Sequence, residues 1–229
     1  MIIAIHQPNY LPWAGYFHKM LSCDLFVILD DVLHSKRAIT NKNKIKAPEG
    51  IRLLSVPLAN KEVLIRDLNI HNDKSWYQRH WNSLMACYSR SPYWKEYKDL
   101  FAPVFKDPGT NLAELNLRLI MIFRELLEIN TPLVRSSEIP GIDGKRGAKL
   151  INICRHFGAD TYMSGTGARV YNNENEYAQN NIRLVYQSYK TPVYPQLWGA
   201  FIPDLSVVDL LFNCGSESKK YLIKQVTYE

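Results

Sequence analysis

The chain has 229 residues, of which 46% are apolar and 22% charged, and its formal charge is +6. That length suits one large domain with a full hydrophobic core, and the composition excludes a disordered or collagen-like chain. No apolar run approaches the ~20 residues that cross a bilayer. The mild positive excess suits anionic partners such as nucleotides, phosphosugars, an acidic carrier protein or RNA, or serves solubility alone; the cations are scattered among acids, with no basic block of the nucleic-acid-arm type.

In chain order, residues 2–6 read as a strand, followed by the proline-punctuated segment Gln7-Pro8-Asn9-Tyr10-Leu11-Pro12-Trp13. The apolar opening has no basic leader and stops at His6. It reads as a strand rather than a signal peptide, and a cytoplasmic location is expected. Residues 14–23 predict a short helix with Phe17, Met20 and Leu21 on one face. Residues 25–29 are a continuous apolar run, the pattern of a strand covered on both faces, and they end at Asp30-Asp31. Strand, helix and strand predict a parallel βαβ start.

The polar, basic stretch 35–50 reads as loop and residues 51–58 as strand. Helices follow over 75–89 and 92–105. A third starts from an Asn111 cap, with Leu112, Leu115, Leu119, Ile122, Phe123 and Leu126 as its apolar stripe. Residues 131–136 read as a strand and 145–157 as a helix closed by Gly158. A strand over 160–163 runs into Ser164-Gly165-Thr166-Gly167. Then come a strand over 182–186, a helical turn or two over 205–212, and a charged terminal helix after Gly215. The pattern predicts a single α/β domain over 1–229 with a mostly parallel sheet flanked by helices. A helical insertion in the middle of the chain forms a subdomain at about residues 74–128.

In open α/β sheets, ligands bind beyond the carboxyl ends of the strands. Here those ends are His6-Gln7, Asp30-Asp31 and Ser164-Gly165-Thr166-Gly167. Neighbouring parallel strands would bring them to one polar cavity, with residues 1–31 as one wall. Pro8 and Pro12 stiffen the first loop. His6, Gln7, Asn9 and Tyr10 then present polar groups, and Trp13 is placed to stack on a base or sugar. The plainer alternative is a structural turn with Tyr10 and Trp13 as core filler.

Asp30 or Asp31 suits a base or a metal ligand, or else a strand-end carboxylate accepting bonds from the next loop. Adjacent strand residues point to opposite faces, so one of the two at most faces the cavity. The segment Lys36, Arg37, Asn41, Lys42, Asn43, Lys44 and Lys46 suits phosphate or carboxylate, or is a solvated loop. Arg169 beside the glycine-rich turn adds to the phosphate expectation, although the turn is no Walker motif. No CxxC or CxxH pair or other metal-ligand spacing occurs, so no metal is assigned. Cys23, Cys87, Cys154 and Cys214 are expected as buried free thiols.

Taken together, these residues resemble the WbqC-like family. The resemblance rests on His6-Gln7-Pro8-Asn9-Tyr10-Leu11-Pro12-Trp13 with Gly15-Tyr16-Phe17, on Asp30-Asp31, and on Asn41-Lys42-Asn43-Lys44-Ile45-Lys46. It continues through Gly158-Ala159-Asp160, Ser164-Gly165, Tyr171, Tyr194-Pro195-Gln196 and residues 201–213. The family more often has glutamine at the position of Leu33 and arginine at that of Lys42.

The resemblance implies a bacterial protein found with enzymes of O-antigen and other surface-polysaccharide synthesis. It implies a transferase that attaches an acyl or aminoacyl group to the amine of a nucleotide-linked amino sugar. In that role His6 or Asp30 would take the amine's proton, and Asn9 or backbone amides would support the oxyanion. Arg37, Lys44 and Arg169 would hold phosphates. Gln7, Tyr10, Trp13, Asp31, Asn41, Asn43, Ser164, Gly165 and Thr166 would bind the substrate. The implied partners are the nucleotide sugar and an acyl donor on coenzyme A or a carrier protein; the cofactor and the oligomeric state stay open.

A weaker similarity to the nucleotidyltransferase superfamily that includes pantothenate synthetase offers an ATP-dependent, adenylate-forming alternative. Its paired-histidine signature is absent, because His6 and His18 are too far apart. A non-catalytic adaptor of polysaccharide assembly is the third expectation.

Overall fold

The computed structural model describes residues 1–35, 39–73, 75–170, 172–223 and 227–228. The chain begins with β1 (Ile2–His6), α1 (Ala14–Leu21), β2 (Leu25–Ile28), β3 (Lys42–Ala47) and β4 (Gly50–Ser55). Three successive helices follow, α2 (Ser75–Tyr88), α3 (Trp94–Lys106) and α4 (Leu112–Leu126). Strands and helices then alternate through β5 (Leu133–Arg135), α5 (Gly147–His156), β6 (Thr161–Gly165), α6 (Glu174–Gln179) and β7 (Arg183–Ser188). The last elements are α7 (Val207–Cys214), α8 (Ser218–Ile223) and the short β8 (Thr227–Tyr228).

The main sheet has the order β5-β2-β1-β6-β7-β8. Its first five strands pair in parallel and β8 is antiparallel. Counted along the chain, the parallel strands lie in the order third, second, first, fourth, fifth. That is the arrangement of doubly wound sheets, with its switch point between β1 and β6. Alternation along the strands sends side chains to two layers. Ile3, Ile5, Leu25 and Val27 pack with Ile151, Cys154 and Tyr177 of α5 and α6. Ala4, Phe26, Ile28 and Met163 face the larger core, which α1, α4 and α7 build.

The middle helices share that larger core rather than standing apart from it. Phe17 of α1 meets Phe123 of α4 at 5.5 Å, and Phe101 of α3 meets Phe212 of α7 at 5.7 Å. The Asn111 side chain caps α4 by accepting from Glu114 N at 3.1 Å, a contact worth about 1 kcal/mol. Gly158 closes α5 at φ +63, as a C′ glycine does.

Two elements depart from expectation. The stretch 35–50 contains β3, although Lys42-Asn43-Lys44 has no apolar alternation. The strand forms because it pairs antiparallel with β4, Lys44 opposite Leu53 and Lys46 opposite Ile51. It also buries Ile45, Lys46 and Ala47 where α2 and α7 come close. The polar helix α6 is the other; only its Tyr177 is buried.

Candidate functional site

A cavity of about 400 Å³ opens at the carboxyl ends of β1 and β6, the switch point of the sheet. The volume lies in the range of small-ligand pockets. Both ends of the proline-rich loop reach it: His6 and Gln7 on one side and Trp13 on the other. The segment Ser164-Gly165-Thr166-Gly167, at the end of β6, also lines it.

The middle of the loop is structural instead. Asn9, Tyr10 and Leu11 are buried away from the cavity. Tyr10 Oη lies 2.8 Å from His80 Nδ1. Asn116 of α4 clamps the loop by donating Nδ2–H to the carbonyls of Pro8 (2.9 Å) and Thr40 (2.8 Å). Leu11 is held at φ 44, and its carbonyl accepts from Asn43 Nδ2 at 2.6 Å. Asn9 Nδ2 is buried and unpartnered, but it does not line the cavity.

His6 is the best-placed proton acceptor. Its Nδ1 lies 3.0 Å from the Gln7 carbonyl oxygen, which can only accept, so Nδ1 carries the proton and Nε2 keeps a lone pair. Burial, seconded by the nearby charge of Lys19, lowers the pKa of His6 from 6.5 to about 3. The ring is therefore neutral at physiological pH. Tyr16 packs edge-on against it at 4.8 Å.

Asp30 and Asp31 sit one strand away and line no part of the cavity. β2 is flanked by β5 as well as β1, and both carboxylates are engaged on the β5 side. Asp30 is fully buried and accepts from Arg135 Nε (2.8 Å), Ser137 Oγ (2.8 Å) and Ser137 N (3.0 Å). Asp31 accepts from Lys149 Nζ at 2.6 Å and from the Ser136 hydroxyl. With their acceptor sites filled in this way, both aspartates fasten β2, β5 and α5 together.

The basic hairpin also stands off the cavity. Asn41 Nδ2 donates to the Val56 carbonyl, Lys44 is exposed, and the Lys44 carbonyl accepts from Ser206 N. Lys46 is fully buried, its Nζ donating to Gln196 Oε1 (3.0 Å) and the Ala200 carbonyl (2.6 Å). That ammonium borders a buried carboxylate, Asp209, which accepts from Tyr88, Tyr194 and Gln196. Burial raises the pKa of Asp209. Arg169 lies over the Tyr186 ring at 4.7 Å and is outside the cavity lining. Arg37 and Tyr171 lie outside the described residues.

Several lining residues had no signal as strand-end polar groups. Tyr162 sits two residues before Ser164 on the same face of β6, Gln187 lies near the end of β7 and Tyr189 follows that strand. Gln187 Nε2 is held by the Gly15 carbonyl (2.7 Å) and His18 Nδ1 (2.8 Å). The most consequential is Lys19, buried within α1 four residues after Gly15, which also lines the cavity. Helical spacing puts positions i and i+4 on one face, and that was the available clue.

Among the described residues no three His, Cys, Asp or Glu side chains gather as a metal-ligand set, and no helix is long and apolar enough to cross a membrane. All four cysteines are buried free thiols.

A five-stranded parallel sheet of this order, with a polar cavity at its switch point, defines an α/β protein of the doubly wound class. The chain belongs to the WbqC-like protein family, whose model matches residues 7–221. It is similar to an uncharacterized protein of Mycobacterium tuberculosis, Rv1507c, with 37% identity over 227 residues and 96% of each chain covered. No solved structure matches it.

Proposed function

We propose that the protein is an amide-forming transferase of surface-polysaccharide synthesis, moving an acyl or aminoacyl group onto the amine of a nucleotide-linked amino sugar. The observation that carries the proposal is the neutral His6 imidazole at the switch-point cavity, with Nδ1 committed to the Gln7 carbonyl and Nε2 left as acceptor. In the step envisaged, the amine nitrogen attacks the thioester carbonyl of the donor and Nε2 takes the amine's proton. The tetrahedral intermediate then expels the thiolate, which takes that proton from the His6 imidazolium and leaves as the free thiol, returning the ring to its neutral form. Asp30 is not needed as base, because its carboxylate is occupied. Trp13 and Tyr189, in edge contact at 5.6 Å, supply aromatic surface for a base or sugar. Gly165 and Gly167 let a backbone approach the substrate closely.

The test is incubation of the purified protein with UDP- and dTDP-amino sugars and acyl-coenzyme A thioesters, read by mass spectrometry. A mass gain equal to the acyl group, lost at least about 100-fold in His6→Gln, supports the assignment. Pyrophosphate release from ATP with a carboxylic acid, and no thioester turnover, replaces it with the adenylate-forming alternative.

A further inference from the structure

Lys19 enters the cavity without a counter-charge. The residue is 2% exposed, and its Nζ makes no hydrogen bond or ion pair among the described residues. A Cβ built on Gly165 would stand 3.3 Å from that nitrogen, so the absence of a side chain there leaves the ammonium room to meet a ligand across from His6. The ionisable groups around it give no compensation. Tyr16 of α1, Tyr162 of β6 and Tyr189 after β7 line the same cavity, and burial raises the pKa of each. Cys23, just past α1, is pushed up to about 12. His6, which lines the same cavity, is neutral. Unpaired buried charge is unfavourable in folding and is retained where a ligand completes it.

The geometry points to Lys19 as the anion anchor of this cavity, where the diphosphate of a substrate docks against its ammonium between His6 and the Gly165–Gly167 turn. A lysine ammonium is a compact point charge suited to phosphate, and a glycine-rich turn leaves backbone amides accessible to phosphate oxygens. The inference rests on the cavity being the substrate site assigned above, but it is independent of the acyl chemistry, since binding is read without turnover.

A consequence follows for His6. The Lys19 charge helps to hold the imidazole far below its ordinary pKa, with burial the larger cause. An anion seated on Lys19 cancels that repulsion and makes Nε2 a stronger base only when substrate is present.

Calorimetric titration with inorganic pyrophosphate, UDP, uridine and malonate tests the anchor on the full chain. Pyrophosphate and UDP are expected to bind, UDP at least ten-fold tighter than uridine, and Lys19→Met to lose at least ten-fold for pyrophosphate. Lys19→Met is also expected to melt higher than the wild type, because it removes an uncompensated charge; a lysine kept only for structure would melt lower when replaced. Equal affinity for UDP and uridine, malonate binding as tightly as pyrophosphate, or pyrophosphate binding unchanged in Lys19→Met overturns the inference. A wild-type measurement stands beside the variant. The NMR titration of the His6 ring is expected to move to higher pH when pyrophosphate is bound, and an unmoved curve at saturation refutes the docking position.

Discussion

Replacing Asp30 separates fastening from catalysis. Asp30→Ala deletes a carboxylate with no exposure and strands the Ser137 N–H, the Ser137 hydroxyl and the Nε edge of Arg135. Breaking a buried pair from one side costs about 3–5 kcal/mol. Arg135 is 21% exposed and keeps Glu114 at 2.7 Å, so the low end applies, about 3 kcal/mol. Asp30→Asn keeps shape and one acceptor oxygen and loses about half as much, on the scale of charge-assisted hydrogen bonds at about 1.5–3 kcal/mol. In a chain of this length 1 kcal/mol moves the melting temperature by about 2–4 °C, so Ala lowers it by about 6–12 °C and Asn by about 3–6 °C. Circular-dichroism melts and urea midpoints measure both. Turnover of Asp30→Asn, assayed well below its melting point, is expected within about three-fold of wild type. His6→Gln is expected to do the reverse, keeping its melting temperature within about 3 °C while losing turnover at least about 100-fold. An Asp30→Asn protein that melts like wild type and has lost turnover would refute the fastening role.

Acid sensitivity should follow from two histidines. Burial lowers His6 to about 3, with Lys19 the next cause, and His80 to about 4, with Arg79 the next cause, both from an ordinary 6.5. Between pH 6.5 and those folded values the unfolded chain binds the extra protons, so stability is full above 6.5 and falls on acidification. Each histidine contributes about 1.4 kcal/mol per pH unit in that window, and a flat urea midpoint from pH 7 to pH 5 would contradict it. Tyr194→Phe removes a 2.8 Å hydrogen bond to buried Asp209. It should lower stability by about 1.5–3 kcal/mol in urea titration; less than half a kilocalorie would show that Tyr88 and Gln196 suffice. Gly215→Ala should lose more than about 2 kcal/mol, since φ is +57 and the new Cβ would stand 2.2 Å from the Tyr93 ring. An unchanged melt would show that Tyr93 swings away freely.

The opening of the chain was legible because each of its elements has an unambiguous period. The apolar run of β2 and the Asn111 cap form as their residues dictate, whereas α1 is buried from Ala14 to Met20 rather than on the one face of Phe17, Met20 and Leu21. Of the three strand ends expected to converge, His6-Gln7 and Ser164-Gly165-Thr166-Gly167 line the cavity. The switch-point rule misjudged Asp30-Asp31, because sequence reveals that a strand ends but not which neighbour its end faces; Arg135 of β5 and the Ser136-Ser137 turn that follows it hold them. Tyr10 and Asn9 look like ligand groups in a loop and become core through the Asn116 clamp, a contact across most of the chain's first half. β3 was illegible for the opposite reason: its partner strand and α7, not its own pattern, make it a strand. Lys19 was hidden in a helix, where a lysine ordinarily reaches solvent along its aliphatic stem.

The seam between the first loop and the start of α7 has a bearing on how the molecule is made. Trp13 bridges to Ser206, Pro12 O accepts from Val207 N, and Lys44 O accepts from Ser206 N. A ribosome therefore releases the cavity's first wall long before the segment that latches it, and β1 waits equally for β6 as its inner neighbour. Contacts so distant in sequence close slowly and leave apolar strand faces uncovered during synthesis. A nascent chain halted before residue 205 would carry every cavity residue from Ile5 to Tyr189 and still lack the latch on Trp13's loop, so ligand binding should be acquired in one late step rather than built up with length.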